Sequence, residues 1–156
     1  MKIESFVIEH YDNGKVWIKG QKNSKGQHEG IWEVFYTNGN IQKRIPYKEG
    51  KRNGIVEWFF ENGNIHFRTL YKGDEIDGID EGFYPNGNIL RRSPYKKGKI
   101  DGIVEWFYTN GNIKCRIPYK EGKINGIEER FNKQGNITKT RHWKNGELIE
   151  TTKPKQ

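Results

Sequence analysis

Glycine recurs at positions 39, 63, 87, 111 and 135, and a second set at 30, 54, 78, 102 and 126, both at an interval of 24 residues. Between the two sets lie Ile31-Trp-Glu-Val-Phe35, Ile55-Val-Glu-Trp-Phe59, Ile79-Asp-Glu-Gly-Phe83, Ile103-Val-Glu-Trp-Phe107 and Ile127-Glu-Glu-Arg-Phe131. Ile, Glu and Phe hold the same three places in every copy. Self-similarity at a fixed period outranks local propensity, because it specifies an array of identical supersecondary units.

Each unit carries two turn signals. One is Thr37-Asn-Gly-Asn40, with counterparts at 61–64, 85–88 and 109–112; the other is Lys48-Glu-Gly50, with counterparts at 96–98, 120–122 and 144–146. They leave two strands of roughly nine residues per unit. Strands joined only by short turns build an antiparallel meander. Composition agrees: the chain has no alanine and only three leucines (Leu70, Leu90, Leu148), while Ile, Phe, Tyr, Trp and Thr are used freely. A mean hydropathy of −1.03 leaves too little apolar material for a thick two-layer core. The expectation is an all-β fold, a single-layer elongated antiparallel meander of tandem hairpins. Its repeats fall at 30–53, 54–77, 78–101, 102–125 and 126–150. A degenerate hairpin over 1–29, with a one-residue insertion before Gly30, caps the start, and a polar tail over 151–156 frays at the end.

The turn chemistry leaves two registers open. Asn-Gly suggests a two-residue turn, which sets Glu33, Glu57, Glu81 and Glu105 opposite Arg44, Arg68, Arg92 and Arg116. Pro85 and Gln134 favour a three-residue loop with a left-handed glycine. That register sets Phe107 opposite Ile113, Glu105 opposite Cys115 and Ile103 opposite Ile117. It makes Ile103, Phe107, Ile117 and Tyr119 the core face, and places Trp106, Tyr108 and Arg116 on the other. Pro46, Pro94 and Pro118 each remove a ladder donor, so the strands should part and the sheet bend there.

No catalytic motif is present. There is no Gly-x-Ser-x-Gly, phosphate loop or His-Glu-x-x-His, and the glycines follow turn spacing. Cys115 is the only cysteine and reads as a structural filler; His10, His28, His66 and His142 share no metal-site spacing. The glutamates recur once per unit, about 10 Å apart, which suits charge pairing rather than a paired-carboxylate site. The chain is therefore expected to be no enzyme and to need no cofactor or metal.

What remains is surface. In the three-residue register Arg44, Arg68, Arg92 and Arg116 share a face with Tyr36, Trp58, Phe60, Tyr84, Trp106 and Tyr108, types enriched at interface hot spots. That face either binds a partner or covers itself by stacking Arg on the aromatic rings. A formal net charge of +8 favours an acidic partner. The alternative ligand is nucleic acid or anionic lipid headgroups. The single cysteine, the lack of an apolar leader and the absence of any run near ~20 apolar residues point to the cytoplasm.

The pattern Gly-x-x-Glu-x-Phe-Tyr-x-Asn-Gly-Asn-Ile followed by Tyr-Lys-x-Gly-Lys resembles the variant MORN repeat. It is carried by Phe35-Tyr36, Phe59-Phe60, Phe83-Tyr84 and Phe107-Tyr108, with Tyr47, Tyr71, Tyr95 and Tyr119. The resemblance covers about residues 30–150. Bacterial chains built only of this repeat are grouped as YwqK-like antitoxins, so it implies an immunity or antitoxin role against a toxin. Related repeats are associated with membrane contact and protein docking, and fold alone does not choose among these.

Overall fold

A computed structural model describes residues 3–153, and every regular element among them is a β-strand. The chain divides into two compact units, Met1–Glu75 and Ile76–Gln156. The first holds β1 (Ile3–His10), β2 (Val16–Asn23), β3 (His28–Phe35), β4 (Ile41–Lys48), β5 (Lys51–Phe59) and β6 (Ile65–Lys72), each antiparallel to its chain neighbour. The second holds β7 (Glu75–Phe83), β8 (Ile89–Lys96), β9 (Lys99–Ile100), β10 (Gly102–Phe107), β11 (Ile113–Lys120), β12 (Lys123–Ile124), β13 (Gly126–Phe131), β14 (Ile137–Lys144) and β15 (Glu147–Thr152). It too is an antiparallel meander in chain order. The expected all-β hairpin array is what forms.

The two turn signals build two kinds of turn. At Asn-Gly, Tyr36 N–H donates to the Asn40 carbonyl (2.8 Å) and Gly39 N–H to the Tyr36 carbonyl (2.9 Å), with Gly39 at φ +95°. This is the three-residue loop, and it recurs at Phe60–Asn64, Tyr84–Asn88, Tyr108–Asn112 and Asn132–Asn136. At Lys-x-Gly-Lys, Glu49 and Gly50 both have positive φ (53° and 78°), so this hairpin closes in two residues. The insertion before Gly30 is absorbed between β2 and β3, where Asn23–Gln27 makes a further three-residue loop.

Both registers considered from sequence turn out to coexist. Phe107 faces Ile113, as the three-residue loop requires, but Trp106 faces Cys115 and Glu105 faces Arg116. One residue, Lys114, is bulged out, and the slip restores the glutamate–arginine pairing. Gln42, His66, Leu90 and Thr138 take the same place in the other hairpins.

The slip also reverses the expected core face. Ile103, Glu105 and Phe107 share a face with Arg116 and Pro118, whereas Ile117 and Tyr119 lie opposite with Val104 and Trp106. The buried apolar side chains are Trp32, Val56, Val104 and Cys115, all on that second face, called here the inner face. Ile103 is exposed, not core. Gly20 leaves room for the Trp32 indole, since an added Cβ would sit 2.2 Å from it.

The strands part at the prolines as expected. β8 pairs β10 only at Arg91 and Arg92, then meets β9 separately, and Asp101 N–H reaches the Pro94 carbonyl at 3.0 Å. Gly102 opposite Pro94 has φ +125°, and a Cβ there would lie 2.8 Å from Pro94 Cγ. Gly54–Pro46 and Gly126–Pro118 repeat the arrangement. At the end of the chain, Thr151 and Thr152 belong to β15 rather than to a frayed tail, pairing with Arg141 and Thr140. Lys153 follows without regular structure, and 154–156 of the expected tail lie outside the described residues.

Candidate functional site

Consider first the outer face. Alternation within each first strand turns Ile and Glu to one side of its hairpin, and the repeated register keeps that side the same among the hairpins of each unit. The first unit presents Ile31 and Ile55 there, and the second Ile79, Ile103 and Ile127; each is between 49% and 60% exposed. Their cross-strand neighbours are Pro46, Leu70, Pro94, Pro118 and His142. Within each unit the isoleucines thus recur at one strand position, each left about half exposed.

Beside this row runs a charge ladder. In the first unit Lys19 Nζ lies 2.9 Å from Glu33, and Arg44 bridges Glu33 and Glu57 at 3.2 Å each; Glu57 also faces Arg68. In the second, Arg92 contacts Glu81 (3.1 Å) and Glu105 (3.8 Å), Arg116 contacts Glu105 (3.2 Å), and Arg116 faces Glu129. Burial alone would raise the Glu33 pKa, but hydrogen bonds and charge from Lys19 and Arg44 hold it below its ordinary value. Glu33, Glu57, Glu81 and Glu105 are paired structural groups.

The inner face is more varied. At the positions after each isoleucine stand Trp32, Val56, Asp80, Val104 and Glu128. Asp80 is ion-paired with Arg91. Glu128, only 2% exposed, accepts from Arg130 Nε (2.7 Å), Trp143 Nε1 (2.8 Å) and Arg141 Nη1 (3.5 Å). Burial pushes its carboxyl up, yet these donors and the two arginine charges bring it below the ordinary range. Burial raises the Cys115 thiol, so it is less readily ionised than a free cysteine.

The residues expected to form one binding face are divided between three settings, because the bulge turns the second strand over. Arg44, Arg68, Arg92 and Arg116 lie on the outer face in the charge ladder. Trp58 and Trp106 lie on the inner face, where Lys43 (3.5 Å from the ring centre) and Arg91 (5.5 Å) cover them. Tyr36, Tyr84 and Tyr108 stand at the loops, each donating its hydroxyl to a carbonyl of the next hairpin: Phe59 (2.6 Å), Phe107 (2.8 Å) and Phe131 (2.8 Å). Phe60 replaces that tyrosine in one copy and stacks on His66 at 4.1 Å. Self-covering by arginine occurs in part: Arg44 lies over Phe59 (5.7 Å) and Arg116 over Phe131 (5.8 Å), while the tryptophans are taken by Lys43 and Arg91.

Two linking devices escaped the sequence reading. Asn40, Asn88 and Asn112, after each Asn-Gly, donate Nδ2 to a loop carbonyl of the following hairpin at 2.8 Å. In the two-residue turns, Gly50, Gly98, Gly122 and Gly146 donate N–H to carbonyls 22 residues earlier. The constant second asparagine was a visible signal for the first; the second is main-chain only and leaves no mark on composition.

Among the described residues no group of three or more His, Cys, Asp or Glu side chains could hold a metal ion, and no helix is long and apolar enough to cross a membrane. Residues 29–49, 52–72, 76–97 and 100–121 each match the family model described as the MORN repeat variant, together more than half of the chain. The hairpin over 126–150 falls outside those matches. No curated protein matches the chain.

Proposed function

We propose that this chain, which belongs to the MORN repeat variant family, is a non-catalytic repeat scaffold that docks a protein partner on the isoleucine rows of its outer face. One observation carries the reading: a large apolar side chain stands at the same exposed position in all five hairpins. Scattered exposed hydrophobes need no explanation, but a repeated row does. Covering a half-exposed isoleucine contributes roughly 1 kcal/mol, so the three in the second unit offer a partner a few kcal/mol before ordering costs. Arg44, Arg68, Arg92 and Arg116 flank the rows and supply polar rim contacts, with their glutamates already neutralising them.

That neutralisation weakens the alternative of nucleic acid or anionic headgroups on an arginine and aromatic face, since the arginines are paired with glutamates and two of them already lie over Phe59 and Phe131 of the chain itself. Within protein docking, the finer reading is an immunity protein that occludes a toxin in the cytoplasm; it rests on the likeness to the antitoxin grouping, and a free thiol at Cys115 accords with a reducing compartment. The test is affinity capture from the source cell with the wild-type chain and with Ile79→Thr/Ile103→Thr/Ile127→Thr. Circular dichroism should be unchanged while the captured protein is lost. Equal capture by both would refute the isoleucine row as the docking surface, and a captured protein that does not arrest growth when expressed alone would refute the immunity role.

A further inference from the structure

On the sheet faces of the second unit Arg91, Arg92, Arg116, Arg130 and Arg141 are paired with carboxylates. Lysines gather instead on one edge of that unit, at the two-residue turns. The turns at 96–99, 120–123 and 144–147 carry Lys96, Lys97, Lys99, Lys120, Lys123 and Lys144 against Glu121 and Glu147 alone. The hairpin register sets Lys96 directly opposite Lys99 and Lys120 directly opposite Lys123. Like charges in that position oppose pairing, so the arrangement is contrary to the stability of the hairpins. None of Lys96, Lys97 and Lys99 forms an ion pair with another described residue, and all three are exposed. They surround an open cleft of about 350 Å³, whose remaining lining is Asp101 and Glu121. The opposite edge carries Asn-Gly-Asn loops, whose asparagines are engaged in links between hairpins.

We infer that this lysine edge receives an acidic segment of the docked protein partner, an inference that rests on the protein-docking reading above. Charge complementarity selects an anionic ligand. The mixed lining selects a polypeptide: Asp101 and Glu121 would repel an uninterrupted phosphate chain, whereas a peptide offers N–H donors between its carboxylates. Spacing agrees as well. Successive two-residue turns are two strands apart, about 10 Å, and every third residue of an extended peptide recurs at about that distance. No aromatic ring lines the cleft to stack a base.

The probe is a fluorescein-labelled peptide of four Glu-Ser-Gly repeats, read by anisotropy against the full chain. The wild type should bind it, with affinity falling at least tenfold between 50 and 300 mM salt, roughly as screening of several exposed charges requires. Lys96→Gln/Lys97→Gln/Lys99→Gln should weaken binding about tenfold while the melting temperature holds or rises, because a like-charge pair is relieved. Absence of binding, or binding that the triple variant leaves intact, would overturn the inference. So would tighter binding of oligothymidylate or of phosphatidylserine vesicles run in parallel. Partner capture by the triple variant undiminished at physiological salt would also overturn it while leaving docking on the isoleucine rows standing; loss of capture only in the isoleucine variant separates the two.

Discussion

Glu128 and Glu129 are chain neighbours on opposite faces of β13, and replacing each by alanine should have very different consequences. Glu129 belongs to the outer ladder, where exposed pairs are worth a few tenths of a kcal/mol to about 1. Glu128 is enclosed. Its loss leaves Arg130, half exposed, to re-solvate at under about 1 kcal/mol. It leaves the Trp143 N–H without an acceptor, at about 1 kcal/mol. It also strips Arg141 of its carboxylate, and the buried Arg141 Nε already lacks a partner; an uncompensated guanidinium there costs a further ~1–2 kcal/mol. Glu128→Ala should therefore lose about 3 kcal/mol, measured by urea unfolding followed by tryptophan fluorescence, and Glu129→Ala less than 1. The preceding hairpin suggests the rescue. There Val104 faces Ile117 at the positions held by Glu128 and Arg141. Glu128→Val/Arg141→Ile replaces the ion pair by an apolar pair the fold already accepts, and should recover most of the loss or exceed the wild type. If Glu128→Ala costs less than 1 kcal/mol, or the double variant is as unstable as the single, the account of the inner face is wrong.

Adjacent residues again differ at the preceding hairpin: Ile103→Thr should change stability by less than about 1 kcal/mol, while Val104→Thr, a buried position, should cost about 1–3 kcal/mol in the same assay. Glu121 holds a left-handed conformation (φ 49°) that Asn145 occupies in the last hairpin, so Glu121→Asn should stabilise by about 0.5–1 kcal/mol and raise the thermal midpoint. Gly102→Ala should destabilise by about 3 kcal/mol, and Pro94→Ala on that background should recover only the part due to the clash, since φ +125° remains strained. Glu128 binds its proton less readily folded than unfolded, so its contribution is complete above its ordinary value of 4.5 and vanishes as pH falls through the lower folded value; the acid limb of a stability–pH profile should be shallower in Glu128→Val/Arg141→Ile.

The hairpin array was legible because turn residues recur at a fixed interval and turns dictate antiparallel neighbours. Even the loop type was readable, from Pro85 and Gln134. The bulge was not, because the residue it extrudes is Gln42, His66, Leu90, Lys114 or Thr138, which share no chemistry. Two true signals therefore looked like rivals: the loop asked for one register and the Glu–Arg pairs for the other. Without the bulge the faces were assigned wrongly beyond the first pair, and the isoleucines, the most core-like residues in composition, were placed inside. The inner column gave no counter-signal, since Trp32, Val56, Asp80, Val104 and Glu128 look like five unrelated positions. Lys43 and Arg91 were passed over for the same reason: they recur in no pattern, yet they cover Trp58 and Trp106.

In this chain the position after each isoleucine varies on the inner face, while the isoleucine and the glutamate beside it are constant on the outer face, which reverses the usual expectation for a fold held by its core. The inversion has a structural reason on one side only. Each inner residue need suit just its cross-strand partner, so Trp32 with Ile45, Val104 with Ile117 and Glu128 with Arg141 are three solutions to the same local problem. The constancy of the outer glutamates and arginines also follows from stability, because Arg44 joins Glu33 to Glu57 in the first unit and Arg92 joins Glu81 to Glu105 in the second. No such argument reaches the isoleucines. They are half exposed, their hairpins fold around a different face, and threonine would satisfy the strand equally well. On the docking proposal the partner supplies the reason that folding does not, and the lysine turns, kept against the repulsion of their own pairs, accord with it from the opposite chemistry.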